Sequence, residues 1–330
     1  MKLSVLDQAV IRKGDSPGDA LKQTAQLAQI ADDLGYTRFW TAEHHNSNGM
    51  AGSSPDVLIS HIAAVTNRIR VGSGGVLLPQ YSPYKVAENF KVMEALYPGR
   101  IDLGVGRSPG GGADTRLALT DGIRRSMNEF PGQLRDLKGF LTNSLPDNHP
   151  FKEVKAYPDL RTLPELWLLG ITERGARTAA ENGMRFTYGH FITPANGEKA
   201  FQYYYRHFQP SAMLKEPSAN VCVFVVCAPT NEEAEHLAAS QDHWLLDIEK
   251  GTDTRIMSPE EAQQRTLTAA QKEKIKHNRS RMVIGNPQEV RNQLLKISEK
   301  YGTDEIMVIN NTYSFKDRAR NLELLAELFL

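Results

Sequence analysis

Short apolar runs of β character alternate with helix-type patterns along almost the whole chain. "LSVLDQ" (3–8) precedes a stretch near 19–34 in which Leu21, Thr24, Leu27, Ala28, Ala31 and Leu34 recur at helical spacing. "TRFWTAE" (37–43) leads into a helix opened by Ser54-Pro55, and "IRVGSGGVLL" (69–78) into one opened by Ser82-Pro83. "RIDLGVG" (100–106), "ELWLLG", "MRFTYG", "NVCVFVV" and "DEIMVIN" follow, each ahead of a helical stretch. Strands apolar on both faces suit a parallel sheet covered by helices.

Eight such units in this length predict an α/β fold, a (β/α)8 TIM barrel, as a single domain over 1–330. A doubly wound open sheet is the alternative, but no G-x-G-x-x-G follows the first strand. The alternation loosens at 108–164 and at 250–281, the latter polar and without a strand signal. Both are expected to be insertions, after strands 4 and 7.

Composition narrows the function classes. The 330 residues are 40% hydrophobic and 8% aromatic, enough for a packed core. Lysine plus arginine equals aspartate plus glutamate at 39 each, so no basic excess points to nucleic acid or an acidic membrane. No apolar run reaches membrane-spanning length and the N-terminus lacks a signal-peptide core, so a cytoplasmic protein is expected. Cys222 and Cys227 stand five apart on one predicted strand, about 16 Å at 3.3 Å per residue, too far for a disulfide.

In a barrel of this kind chemistry sits at the C-terminal ends of the strands. "EHHN", "GSGG", "GRSPGGG", "GITERGAR" and "GHF" all fall there. Glu43, His44 and His45 make a poor metal site. Neighbours on an extended chain point to opposite faces; Glu43 and His45 share a face, but no third ligand stands at recognisable spacing. Proton chemistry is the better reading, with the carboxylate orienting a neighbouring imidazole.

The glycines at 72, 74 and 75 mark a bulge or the close approach of a ligand. Arg107, among glycines past the fourth strand, suits an anion or a salt bridge. After Gly170, Thr172 occupies an N-cap position and Gly175-Ala176 the first helical turn. Free amides, the helix dipole and a hydroxyl make that turn an anion site, or Thr172 a plain cap.

The stretch from "GYTRFWTAEHHN" through "VGSGGVLLPQYSPYKVAENFKVMEALYPGRIDLGVGRSPG" resembles the luciferase-like flavin-dependent monooxygenases, closest to their single-chain bacterial branch. The likeness continues through "LWLLGITERGARTAAENGMRF" to "VIGNPQEVRNQLLKISEKYGTDEIMVIN". It implies a barrel that binds FMN, reduced by a separate NAD(P)H:flavin reductase. The reduced flavin reacts with O2 to a C4a-hydroperoxide that oxygenates a small organic substrate. It implies His44 as the catalytic histidine with Glu43 behind it, and leaves His45 unassigned. Gly74 and Gly75 match a non-proline cis peptide beside the isoalloxazine, Arg107 an arginine near the flavin. Gly170, Ile171, Thr172, Gly175 and Ala176 match the phosphate-holding turn, with Ile171-Thr172 where many relatives have two serines. A homodimer and no metal are implied as well. Segment 250–281 is either a lid or an exposed helical insertion. An F420-dependent oxidoreductase on the same barrel and a non-catalytic flavin-binding protein are the alternatives.

Overall fold

The computed structural model describes residues 1–108, 110–251 and 253–330. Nine strands run in parallel: β1 (Lys2–Asp7), β2 (Arg38–Thr41), β3 (Arg70–Leu77), β4 (Ile101–Gly106), β5 (Glu165–Gly170), β6 (Arg185–Gly189), β7 (Ala219–Cys227), β8 (Met282–Gly285) and β9 (Glu305–Ile309). Strands β1 to β6 pair in sequence, β6 pairs with β7, β7 with β9 and β9 with β1, which closes an eight-stranded barrel. Helices intervene between the strands, so the fold is a (β/α)8 TIM barrel.

The expected strand count of eight needs one correction. β8 lies outside the closed ring, paired only to β7 between Phe224–Cys227 and Met282–Gly285. At four residues it is too short to show an alternation pattern. It belongs to the insertion after β7, together with helices Pro259–Gln264 and Ala269–Arg279. The insertion after β4 carries helices Ala113–Leu119 and Phe130–Thr142.

Helix starts follow the local chemistry. Ser16 forms a capping box with Asp19 and precedes Pro17 at the first helical position. Ser82 caps the helix Pro83–Leu96 through Lys85 N, again with proline next. Ser54 precedes helix Pro55–Val65, although its side chain makes no capping bond.

The interior of the barrel is filled in layers. At its N-terminal end Arg38 lies 2.6 Å from Asp102 and 2.7 Å from Glu305. Ser4 and Asn220 donate to the same Glu305 oxygen, and Trp40 Nε1 donates to Asp102 at 2.9 Å. The Arg38 guanidinium lies 4.5 Å from the Trp167 ring centroid, and Trp167 packs edge-on to Trp40 at 5.3 Å. Above this indole layer the barrel opens into a cavity. Cys222 and Cys227, both on β7, are buried free thiols.

Candidate active site

The cavity at the C-terminal ends of the strands has a volume of about 910 Å3, near the upper end for a small-molecule site. Trp40, Leu6, Phe191, Cys222 and Met307 give it an apolar lining on the side of β1, β2, β7 and β9. Burial raises the Cys222 thiol well above its ordinary pKa, which makes it an inert lining group.

On the opposite side β5 runs into the helix Glu173–Glu181. Gly170, Ile171, Thr172, Arg174, Gly175 and Thr178 line the cavity there. Thr172 caps the helix, accepting Gly175 N–H at 3.4 Å. The other amides of a first turn lack intrahelical partners, and the dipole adds positive potential. Gly170 and Gly175 approach so closely that a Cβ on either would stand 3.2 Å from the other's Cα. The result is an anion cradle opening on the cavity. Ala176 is not part of it. Its N–H is returned to Thr172 O at 3.3 Å and its side chain is fully buried in the core, because it lies on the inward face of the helix.

Gly74 and Gly75 line the cavity, and the peptide between them is cis. The β3–β4 register shifts at the same place, between Ser73 and Val76, so bulge and cis peptide coincide. Gly104 makes the opposing surface; a Cβ there would fall 2.1 Å from Ser73 O. Nothing in the run "IDLGVG" singles out that glycine.

The "EHHN" residues follow β2 directly. Trp40, Ala42 and His44 alternate along the chain and all three line the cavity. His44 makes no side-chain hydrogen bond to the protein among the described residues, and its Nδ1 is buried without a partner. Burial, helped by the neighbouring His45, lowers its pKa to about 4, so the ring is neutral at neutral pH. The expected pairing of Glu43 with His44 is corrected by the structure: the Glu43 carboxylate faces His45 Nε2 at 2.6 Å. Residues 43 and 45 share one face of an extended chain and residue 44 takes the other. Tyr81 O–H also donates to Glu43, as does Leu77 N–H. Tyr81 was not singled out by sequence, since it stands 36 positions from His45 and meets it only across β3.

Arg107 lines the cavity and donates through Nε to Met127 O at 3.3 Å, which leaves its remaining donors for a ligand. His190, from "GHF", is bonded to Tyr301 O–H at 2.7 Å and does not line the cavity. Among the described residues no cluster of three or more His, Cys, Asp or Glu could hold a metal ion. Among the described residues none of 250–281 lines the cavity either; Ile256 is pinned to the β1 loop by backbone bonds with Ile11 and Lys13.

Residues 1–305 match the protein family described as luciferase-like monooxygenase. The N-acetyl-S-alkylcysteine monooxygenase of Bacillus subtilis (strain 168) is 33% identical over 335 residues, covering 100% of this chain and 98% of its own. The crystal structure of apo-MsnO8 superposes with a TM-score of 0.90 at 37% identity, covering 99% of this chain and 98% of that one. The fold is also shared, at TM-score 0.71 and 17% identity, over 100% of this chain and 98% of the other. That structure is the oxygenating constituent of 3,6-diketocamphane monooxygenase from a Pseudomonas putida plasmid, a type II Baeyer–Villiger enzyme in complex with FMN.

Proposed function

Because the chain belongs to the luciferase-like monooxygenase family, we propose that it oxygenates a small organic substrate with O2 and reduced FMN bound in this cavity. The observation that carries this reading is the polarity of the cavity. One end offers the anion cradle of Gly170, Thr172 and Gly175, and the opposite wall is apolar and carries the neutral His44.

The residues present fit the cofactor. The glycine cradle is shaped for a group that a Cβ would crowd, and the buried Thr187 hydroxyl on the cavity wall has no protein partner. Reduced FMN supplies two electrons to the splitting of O2 between substrate and water. The first-turn amides, with the Thr172 hydroxyl, would hold the phosphate, and Arg107 would offer a cation to the flavin. Gly74 and Gly75, which line the cavity, would offer backbone to the ring system. Trp40, Leu6, Phe191 and Met307 keep water out of the reacting volume. A neutral His44 serves as an orienting hydrogen-bond partner. It stays uncharged at neutral pH, which suits that role better than the role of base.

On this reading a separate NAD(P)H:flavin reductase delivers the reduced FMN. Val57, Val92 and Leu96, exposed on helices Pro55–Val65 and Pro83–Leu96, are apolar positions at which two copies would pair. Among the described residues no helix is long and apolar enough to cross a membrane. The test is a titration of the flavin-free protein with FMN and with F420, followed by oxygen uptake with reduced FMN against a panel of aldehydes, ketones and thioethers. Tight F420 binding with none of FMN overturns the proposal. Flavin binding without substrate-dependent oxygen transfer leaves a flavin-binding protein instead.

A further inference from the structure

Glu43 is the most heavily bonded side chain in the cavity wall, and its bonds do not reach the histidine that faces the apolar side. Its Oε2 accepts Leu77 N–H at 2.9 Å. Its Oε1 accepts Tyr81 O–H at 2.5 Å and lies 2.6 Å from His45 Nε2, while the Tyr81 oxygen is 3.4 Å from that same nitrogen. The Glu43 side chain is 1% exposed. A carboxyl group this deep, with three hydrogen-bonding groups around it, is fixed in position.

We propose that His45 is the proton carrier of this site, held by Glu43, with Tyr81 as the residue that positions Glu43. The inference rests on the flavin-dependent oxygenation put forward above. Only donors can face the carboxylate, so neutral His45 carries its hydrogen on Nε2 and leaves Nδ1 to take up and release a proton. His45 lines the same cavity as Arg107 and the Gly74–Gly75 peptide. His44 does not fill this role, because nothing charged holds it and it stays neutral.

The reaction needs such a group. The O–O bond breaks, one oxygen bonds to the substrate and the other leaves as water. The substrate gives two electrons to the oxygen it gains. Supplied as its reduced anion, the flavin would contribute two electrons and one proton. The second proton of the water must come from the protein, and His45 is refilled from solvent through its 12% exposed side chain. The charged and titratable groups around it are Glu43 and His44 on its own loop and Tyr81 after β3. Asp56, at the start of helix Pro55–Val65, acts on Tyr81. From the β4 insertion come Arg107 and Arg125, the latter donating to Tyr81 O at 2.9 Å.

The test begins with the flavin-free protein labelled at histidine Cε1, titrated by NMR and assigned with H44Q and H45Q. Glu43→Gln removes the counter-charge, so the His45 midpoint should fall by about one pH unit or more. Tyr81→Phe removes a donor that shares the carboxylate's charge, so the same midpoint should rise by a few tenths (about 0.3). A merely structural role gives no reason for opposite signs. An unmoved His45 midpoint in both variants, or shifts of the same sign, overturns the proposal. Tyr81→Phe differs by one oxygen and decides the matter alone if E43Q does not fold. With FMN and a substrate, H45Q should cut kcat while the Kd for FMN stays within about twofold. Wild-type kcat in H45Q sinks the proton role and leaves the flavin reading intact. Absence of FMN binding sinks the flavin reading and the proton role that rests on it, while the NMR titration still decides whether Glu43 and Tyr81 hold His45.

Discussion

Gly170, the last residue of β5, and Gly175, in the first turn of the next helix, face each other backbone to backbone: a Cβ on either would stand 3.2 Å from the other's Cα. Phe186 closes the same space, 3.2 Å from a Cβ at Gly170. On the proposed function, this contact would limit how closely a phosphate approaches the helix amides. Gly175→Ala should therefore weaken FMN by about tenfold, roughly 1.4 kcal/mol. Alanine is the better helix former, so thermal stability should change little. Fluorescence titration with FMN and with riboflavin checks it. Riboflavin lacks the phosphate, and equal losses for both flavins would place the damage elsewhere.

The charged layer under the cavity gives a prediction about stability. Arg38 is the shared cation of Asp102 and Glu305, and Asp102 is entirely buried. Arg38→Met leaves buried Glu305 without a counter-charge and Asp102 with Arg70 alone, and losses of a buried partner run to about 3–5 kcal/mol. Urea unfolding should show the drop in midpoint. The triple variant R38M/D102N/E305Q should recover part of it, since the unpaired charge is then gone. If the triple variant is no more stable than the single one, packing of Arg38 on Trp167 outweighs its charge.

The barrel was legible because its strands are apolar on both faces and its helices open with Ser-Pro or other cap residues. β8 was not, since four residues carry no period. The site was legible where backbone chemistry dictates it: Thr172 with Gly175 marks a cap that opens on a cavity, and glycines at 74 and 75 mark a distorted strand. It was illegible where it depends on tertiary pairing. The rule that alternate residues share a face already joined Glu43 to His45, yet the family likeness drew attention to His44. Trp40, Cys222 and Met307 reach the site through strand alternation in three dimensions and Tyr81 from the turn after β3, which spacing alone does not fix. Ala176 fits the motif but turns inward.

The rim beside the site is fastened by one asparagine. Asn48 Oδ1 accepts Thr254 N–H at 3.1 Å and its hydroxyl at 2.9 Å, and Asn48 Nδ2 donates to Asp253 at 3.1 Å. Gly49 fits beneath, since a Cβ there would lie 2.0 Å from Thr254 O. Asn48→Ala should raise amide exchange at Ile256, whose N–H is held by Ile11 O, by about tenfold, and leave β7 and β9 protected. Hydrogen-exchange mass spectrometry resolves the two regions. Unchanged exchange at 253–258 would mean that the backbone bonds of Ile256 with Ile11 and Lys13, with the Ser47–Thr254 contact, hold the segment.

Three histidines, His44, His190 and His243, are lowered by burial and make folding sensitive to mild acid, the first two most strongly. Burial lowers His44 to about 4, and lowers His190 to about 4 with help from Lys300. In the unfolded chain both titrate near 6.5. Between those values the unfolded state binds protons that the folded state refuses, so stability is full above pH 6.5 and falls as the pH drops toward 4. The loss approaches about 3 kcal/mol for each ring. Carboxylates held low, such as Asp32 by the amides of Asn67, Arg68 and Ile69, lose their contribution only below their ordinary value of 3.8. The interval from pH 6.5 to 4 therefore belongs mainly to the histidines. His44→Gln and His190→Asn should each flatten the slope of unfolding free energy against pH there, and together flatten it further, the sites being independent. Denaturant unfolding at half-unit steps of pH measures the slope. A wild-type slope in both variants would show that neither ring is kept neutral by the fold.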